Sequence, residues 1–250
     1  MRRRPPSTHS APGLWLYGLH PVRAALANPA RRLHRAVLTE AAAAAIGRPL
    51  LGRVRHEIAH TEAVARLVPG GAVHQGAALS CDPLPPRNLE DVLGASSKTR
   101  RVVAVLDQIS DPHNVGAILR SAAAFGVTAV IVQDRHAPAE SGALAKAASG
   151  ALDIVPYVPV VNIARALEQL GALGFWRVAL AGDGEQRLSE TATEGNVAVV
   201  FGSEGGGLRR LVRERCDIAA FIPVEPQMES LNVSNAAAVA FYELRRAALA

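Results

Sequence analysis

The stretch Val197-Ala-Val-Val-Phe-Gly-Ser-Glu-Gly-Gly-Gly-Leu208 decides the fold. Its first five residues are apolar and β-prone without period-two polarity, the pattern of a parallel strand covered on both faces. Four glycines then fall within six residues: Gly202, Gly205, Gly206 and Gly207. Glycines there permit positive φ and let the backbone come close to a ligand. A loop of exposed amides after a strand suits a phosphate or the polar end of a nucleotide-like cofactor. The spacing is neither GxGxxG nor the P-loop GxxxxGKS/T, so the ordinary nucleotide fingerprints are absent. Glu204 would repel a phosphate; a carboxylate in such a loop better suits a cationic or hydrogen-bond-donating ligand.

Working outward, the same kind of apolar run recurs at Val102–Leu106, Val127–Val132, Ile154–Val158, Val178–Leu180 and Ala219–Ile222. Helical patterns separate these runs at 114–125, 144–149, 163–170 and 208–215, with a last one over about 234–249. Strand–helix alternation of this density predicts an α/β domain with a mostly parallel sheet. Sites in such domains gather at the carboxyl ends of strands. Two further strand ends carry polar loops. After Leu106, Asp111-Pro112 reads as a helix start, with Pro112 at a first-turn position that tolerates its missing N–H. Asn114 and Arg120 follow, six residues apart and so roughly 240° around a helix of 3.6 residues per turn. They cannot share one helical face; in a common site, Asn114 would act from the opening turn and Arg120 from the helix flank. After Phe221, a loop with Pro223 and Pro226 leads to Ser230, Asn232, Ser234 and Asn235 before an Ala-rich helix. One of the four is an N-cap; four is more than capping needs. Three such clusters on one sheet point to a composite site built from loops.

The first third of the chain reads differently. A helical piece over 21–27, a short strand over 36–38 and a helical stretch around 61–67 precede Asp82-Pro-Leu-Pro-Pro-Arg-Asn88, whose prolines disfavour both helix and sheet. The expected organisation is a disordered tail at 1–11, a small α+β domain at 12–85, a linker at 86–98 and the α/β domain at 99–250. Residues 1–98 carry 13 Lys+Arg against 6 Asp+Glu, whereas 99–250 carry 14 against 16. The whole positive excess of the +5 chain is N-terminal. Such a bias suits a polyanion, most simply nucleic acid, through phosphate neutralisation and counterion release. Two cysteines, Cys81 and Cys216, show no CxxC pairing and no zinc pattern, and they fit free thiols in a reducing cytoplasm. No apolar stretch approaches the roughly 18 residues of a membrane span, so no membrane partner is expected.

Asn114-x5-Arg120, Phe201-Gly-x-Glu204-x2-Gly and Ile222-Pro-x7-Leu-Asn-Val-Ser resemble, in order and spacing, the three motifs of the SpoU/TrmH family of the SPOUT superfamily. Its members are S-adenosyl-L-methionine-dependent RNA ribose 2′-O-methyltransferases. Tyr17-Gly-Leu-His-Pro-Val-Arg-Ala-Ala-Leu26 and Val73-His-Gln-Gly76 resemble the small L30e-like substrate-binding domain of the branch that modifies a guanosine of 23S rRNA. The resemblance covers roughly 14–250. It implies a C-terminal SPOUT-type sheet with a trefoil knot, a homodimer, rRNA as substrate and no metal. It implies further that Arg120 positions the substrate phosphate and hydroxyl, that Asn114, Glu204, Ser230 and Asn232 frame the reacting ribose and methyl donor, and that backbone at Gly202, Ile222 and Leu231 holds S-adenosyl-L-methionine. A guanidinium is almost always protonated, so an electrostatic role for Arg120 is preferred over that of general base.

Three alternatives compete with that reading. Ala179-Leu-Ala-Gly-Asp-Gly-Glu-Gln-Arg187 offers GxGxx after a strand, as in a dinucleotide-binding oxidoreductase. Arg187 stands where the third glycine belongs, and 186–196 is poorly suited to the required helix. A non-catalytic RNA-binding protein of the same fold is disfavoured by the presence of every motif residue. A relative acting on tRNA is the third alternative; the extra N-terminal domain leans toward rRNA.

Overall fold

The structure is a computed structural model that describes residues 13–94, 100–191, 195–203, 205–228 and 230–247. The expected tail at 1–11 lies outside them. The chain divides between Leu84 and Pro85 into two units.

The first unit runs β1 (Leu14–Tyr17), α1 (Leu19–Ala27), β2 (Leu33–Leu38), α2 (Glu40–Ile46), α3 (Arg48–Leu51), β3 (Arg55–Ile58), α4 (Thr61–Ala65) and β4 (Ala77–Cys81). Its sheet has the order β1-β4-β2-β3, antiparallel except for the β2–β3 pair. The helical piece read at 21–27 is α1, buried through Val22, Ala25 and Leu26. The strand read at 36–38 is the buried end of β2. Four elements carry no sequence signal strong enough to anticipate. β3 is exposed at every position, β4 is a uniformly buried Ala-Ala-Leu-Ser-Cys, β1 is short, and α2 is a plain alanine run whose start is fixed when the Thr39 hydroxyl accepts from the Ala42 N–H at 3.3 Å. A β-bulge between Leu33 and Arg35 inserts His34 and brings Arg35 into register with Ser80.

The second unit runs α5 (Leu89–Gly94), β5 (Val102–Leu106), α6 (Pro112–Phe125), β6 (Ala129–Gln133), α7 (Gly142–Ala147), β7 (Tyr157–Val160), α8 (Ile163–Ala172), β8 (Phe175–Leu180), β9 (Gln186–Arg187), β10 (Asn196–Phe201), α9 (Arg210–Arg213), β11 (Ile218–Phe221) and α10 (Val233–Ala247). Its seven strands form one parallel sheet in the order β7-β6-β5-β10-β8-β11-β9. The apolar runs are continuous because both faces are covered. One face packs Val103, Val105, Ala198 and Val200 against α8 through Ile163, Leu167 and Leu170. On the other, α10 lays Phe241 edge-on against Phe201 of β10, ring centroids 5.7 Å apart, and both rings are almost fully buried. Each such burial contributes roughly 1.5–3 kcal/mol.

Three segments differ from the sequence expectation. Within the stretch read as a linker, Leu89, Val92 and Leu93 of α5 join the core of the second unit; helical spacing of three apolar residues outweighs the neighbouring prolines. Strand β7 starts at Tyr157 rather than Ile154, because a 3-10 turn over Ala151–Asp153 and Pro156 precede it and leave Ile154 exposed. The helix read over 208–215 shortens to the single turn of α9. The loop carrying Gly182 and Gly184 leads into the two-residue β9 and not a helix, so the dinucleotide alternative loses the element that would hold a pyrophosphate. Among the described residues no helix is long and apolar enough to cross a membrane.

Helix α6 is defined at both ends by its sequence. Asp111 caps it, its carboxylate accepting from the His113 N–H at 3.0 Å, and Gly126 ends it in the left-handed region at φ 72°. Its Gly116 lies against α7 so closely that a Cβ would stand 2.4 Å from the Ala147 Cβ and 2.8 Å from the Ala148 nitrogen. Backbone cannot yield cheaply there. Gly116→Val is expected to lower stability by about 1–3 kcal/mol, measured by urea denaturation; an unchanged midpoint would show that the two helices are not in contact as described.

Candidate active site

The sheet order sets the place of the site. Strand β5 has β6 on one side and β10 on the other, so the connections leaving β5 and β10 diverge at their carboxyl ends, the usual location of a ligand crevice in a parallel sheet. Three loops meet the criterion of polar residues at a strand end: 107–111 after β5, 202–208 after β10, and 222–232 after β11.

The first two loops are tied together by a buried charge. Asp107, the residue after β5, is fully buried. Its carboxylate accepts from the Arg209 backbone N–H at 3.0 Å, from Nε at 2.8 Å and from the second guanidinium nitrogen at 2.6 Å. Its own N–H donates to the Phe201 carbonyl at 2.8 Å. A buried carboxylate is tolerable only with such a set of donors. The next residue, Gln108, sits in the left-handed region at φ 59°, uncommon for a residue with a side chain and typical of strand ends that shape a site.

Between Phe201 and Arg209 the glycines have a specific geometric purpose. Ser203 and Gly207 exchange N–H to carbonyl bonds of 3.1 and 3.0 Å, folding the loop into a tight reversal. Gly202 then faces Gly207 so closely that a Cβ would lie 2.2 Å from the Gly207 carbonyl carbon. Gly205 and Gly207 hold φ at 80° and 61°, where only glycine is unstrained. Glu204 lies outside the described residues.

The third loop meets the first through side chains. Asn232 caps α10: its Oδ1 accepts from the Ser234 N–H at 2.8 Å and from the Ser234 hydroxyl at 2.6 Å. Its Nδ2 donates to Asn114 Oδ1 at 3.1 Å. Asn114 stands in the first turn of α6, so this bond joins the openings of α6 and α10, helices packed side by side on one face of the sheet. The Asn232 amide orientation is thus fixed by two acceptor contacts and one donor contact. Ser230 and Leu231 are exposed on the same loop.

Arg120 is exposed on α6, six residues beyond Asn114. Among the described residues it makes no ion pair, unlike Arg177 with Asp217 or Arg213 with Asp183. Its guanidinium is therefore available to an external anion. Backbone amides and carbonyls of Gly202, Ile222 and Leu231 likewise have no hydrogen-bond partner among the described residues. These groups stand just after β10, just after β11 and just before α10, and suit the polar edges of a bound small molecule. No group of His, Cys, Asp or Glu suited to a metal occurs among the described residues. An open cavity of about 780 Å³, lined by Phe175, Trp176, Arg177 and Asn196, lies at the amino ends of β8 and β10 and includes none of the candidate residues.

The structure thus joins Asn114 to Asn232 and places Gly202, Ile222, Ser230 and Leu231 at strand ends or the loop between them, with Arg120 on the α6 flank. Sequence reasoning missed Asp107 and Arg209. The signal was an acid ending an apolar strand run and a base following the glycine loop, but pairing them requires knowing that β5 and β10 are neighbours.

Comparison with known proteins matches residues 101–242 to the SpoU rRNA Methylase family and residues 15–87 to a family described as RNA 2'-O ribose methyltransferase substrate binding. The chain is 39% identical over 242 residues, 93% of its own length and 96% of the relative's, to the 23S rRNA (guanosine-2'-O-)-methyltransferase RlmB of Xylella fastidiosa. It is 36% identical over 239 residues, 92% and 95% of the two lengths, to the protein of that name from Pseudomonas putida. Among solved structures it resembles the SpoU methyltransferase AviRb from Streptomyces viridochromogenes in complex with AdoMet, with a TM-score of 0.79 at 20% identity over 94% of this chain and 90% of that one. It also resembles an AdoMet-bound rRNA methyltransferase from Sinorhizobium meliloti, with a TM-score of 0.76 at 21% identity over 96% and 89%. At such identities these two speak for the fold.

The Asp107 clamp has a measurable consequence. Asp107→Asn should cost about 1–3 kcal/mol, less than the loss expected for a fully buried pair because the Arg209 side chain is 40% exposed. Arg209→Gln added to that variant should cost little more, since the partner is already gone. Two full, additive losses in chemical denaturation would show that the residues act separately.

Proposed function

From the membership of this chain in the SpoU rRNA methylase family, whose match spans residues 101–242, we infer that it transfers a methyl group from S-adenosyl-L-methionine to the 2′-hydroxyl of a guanosine ribose in 23S rRNA. The observation that carries the reading at the level of the site is the Asn232–Asn114 hydrogen bond, which unites the third and first motifs.

Bound S-adenosyl-L-methionine supplies an electrophilic methyl group on a positively charged sulfur. The unpartnered backbone of Gly202, Ile222 and Leu231 fits its amide-like edges, and Glu204 is assigned the neighbourhood of the cationic donor. A ribose 2′-hydroxyl is a weak nucleophile until its proton is leaving, so the protein must stabilise charge developing on that oxygen. Arg120 is assigned this role, because a guanidinium stays protonated in proteins and its exposed fork can hold the adjacent phosphate and the emerging oxyanion together. Asn114, Asn232 and Ser230 orient the ribose, with Asn232 pre-set by its cap bonds to Ser234.

A homodimer completes the reading. Its support is the exposure of Val239 and Tyr242, three residues apart on α10, and of Met228, Leu231 and Val224 on the loop before it. Tyr242 keeps one ring edge on Phe125, centroids 5.9 Å apart, while more than half of it remains exposed. Large apolar side chains left in water on one helix and its leading loop suit an association site. The reading puts the protein in the cytoplasm with its rRNA, where Cys81 and Cys216 remain thiols; burial pushes the Cys216 thiol up to about 12 and so suppresses its reactivity.

Arg120→Ala should reduce methyl incorporation into an unmodified 23S rRNA transcript by roughly 10²–10³-fold, while calorimetry finds S-adenosyl-L-methionine affinity within about two-fold. Near-normal turnover in that variant would remove Arg120 from the mechanism. Incorporation into tRNA but not 23S rRNA by the unaltered protein would redirect the substrate assignment. In sedimentation velocity, the unaltered chain should run as a dimer and Val239→Glu/Tyr242→Glu as a monomer; a monomeric unaltered protein at tens of micromolar would refute the dimer.

A further inference from the structure

One row of residues crosses all four strands of the first unit. Trp15 of β1 is in register with Ser80 of β4, Ser80 with Arg35 of β2, and Arg35 with Arg55 of β3. Register partners share a face of the sheet, so Trp, Ser, Arg and Arg lie side by side. The adjacent row on that face is covered: Val37 and Ala78 pack under Val64 of α4, with Leu67 and Val68 beside them and Trp15 at the margin. In the first row Ser80 is buried and Trp15 half-buried, whereas Arg35 and Arg55 are exposed.

The arrangement is costly unless something anionic covers it. Two cations on neighbouring strands, whose backbones stand about 4.8 Å apart, repel one another. Among the described residues neither Arg35 nor Arg55 has a carboxylate partner. Arg35 instead lies over the Trp15 ring, its guanidinium carbon 5.2 Å from the centroid. The small Ser80 between them makes that reach possible. The β-bulge at 33–35 selects this outcome, since without the extra residue Arg35 would fall out of register with Ser80. Three other arginines of the unit are engaged in holding its structure. Arg31 is buried and donates to the Asp82 carbonyl, Arg32 faces the Asp82 carboxylate, and Arg53 donates to the carbonyls of Leu26 and Asn28.

We propose that the Trp15–Ser80–Arg35–Arg55 row is the surface on which the first unit grips RNA, resting on the rRNA methyltransferase reading above. Arg55 and Arg35 neutralise consecutive backbone phosphates. The flat guanidinium of Arg35, backed by Trp15, offers a stacking plane to an unpaired base, a mode suited to single-stranded loops and bulges rather than regular duplex. The surface contributes affinity and not chemistry.

The test uses the full chain and a 23S rRNA transcript. Arg35→Gln/Arg55→Gln should raise KM for the RNA about ten-fold, lower the slope of log affinity against log salt by between about 1 and 2, and leave kcat at saturating RNA and S-adenosyl-L-methionine affinity within two-fold. Arg32→Gln/Arg48→Gln removes the same charge elsewhere on the unit and should shift KM less than two-fold. Equal effects of the two double variants, or none from the first, overturn the proposal while the methyltransferase reading stands. Failure of the unaltered protein to methylate the transcript would overturn that reading, and the proposal with it.

Discussion

Two of the three loops of the candidate site lean on one buried carboxylate. Asp107 sits where β5 ends, with no access to water, and its charge is offset by three donors of Arg209 on the far side of the glycine loop. The desolvation cost of that carboxylate is recovered only when the loop after β10 is folded so that Arg209 arrives in place. Position and charge are therefore coupled. The loop between Phe201 and Arg209 has both ends pinned, one by the β5–β10 ladder and one by the clamp, and its glycines let the intervening backbone reverse without strain. Backbone groups at Gly202 have no partner among the described residues, an arrangement suited to a ligand recognised through main chain.

The third loop is held by a different device. Asn232 serves as helix cap and as tether to Asn114, so a single amide side chain both starts α10 locally and joins two motifs 118 residues apart. Capping geometry restricts its rotamer, and that restriction is transmitted to Asn114. Of the four Ser and Asn residues around the start of α10, this double use accounts for Asn232 and its partner Ser234.

Much of this was legible from residue order. Uninterrupted apolar runs marked the buried parallel strands, Asp111-Pro112 marked the start of α6, and the glycine cluster marked the loop after β10. What escaped were features whose cause is non-local. Strand β3 has no buried face and thus no periodic signature, and α5 was hidden behind prolines although its three apolar residues belong to the core. The Asp107–Arg209 pair links residues that become neighbours only through the insertion of β10 beside β5. The basic bias of the first third was visible as composition. Its resolution into arginines bound to carbonyls and carboxylates, and others left open beside Trp15, needed the register of the small sheet.

The same strand order has a bearing on how the chain reaches this state. Strand β10 lies between β5 and β8, both of which precede it in sequence. During synthesis β5, β6 and β7 can associate in order, but β8 has no neighbour until residues 196–201 have left the ribosome. The second unit therefore assembles its β5–β10 ladder late, from segments nearly a hundred residues apart, and belongs to the slow-folding class in which loop closure precedes its reward. Until then the edges of β5 and β8 are open, each a row of backbone N–H and C=O groups that another chain can pair with before the strand that fills the gap between them arrives.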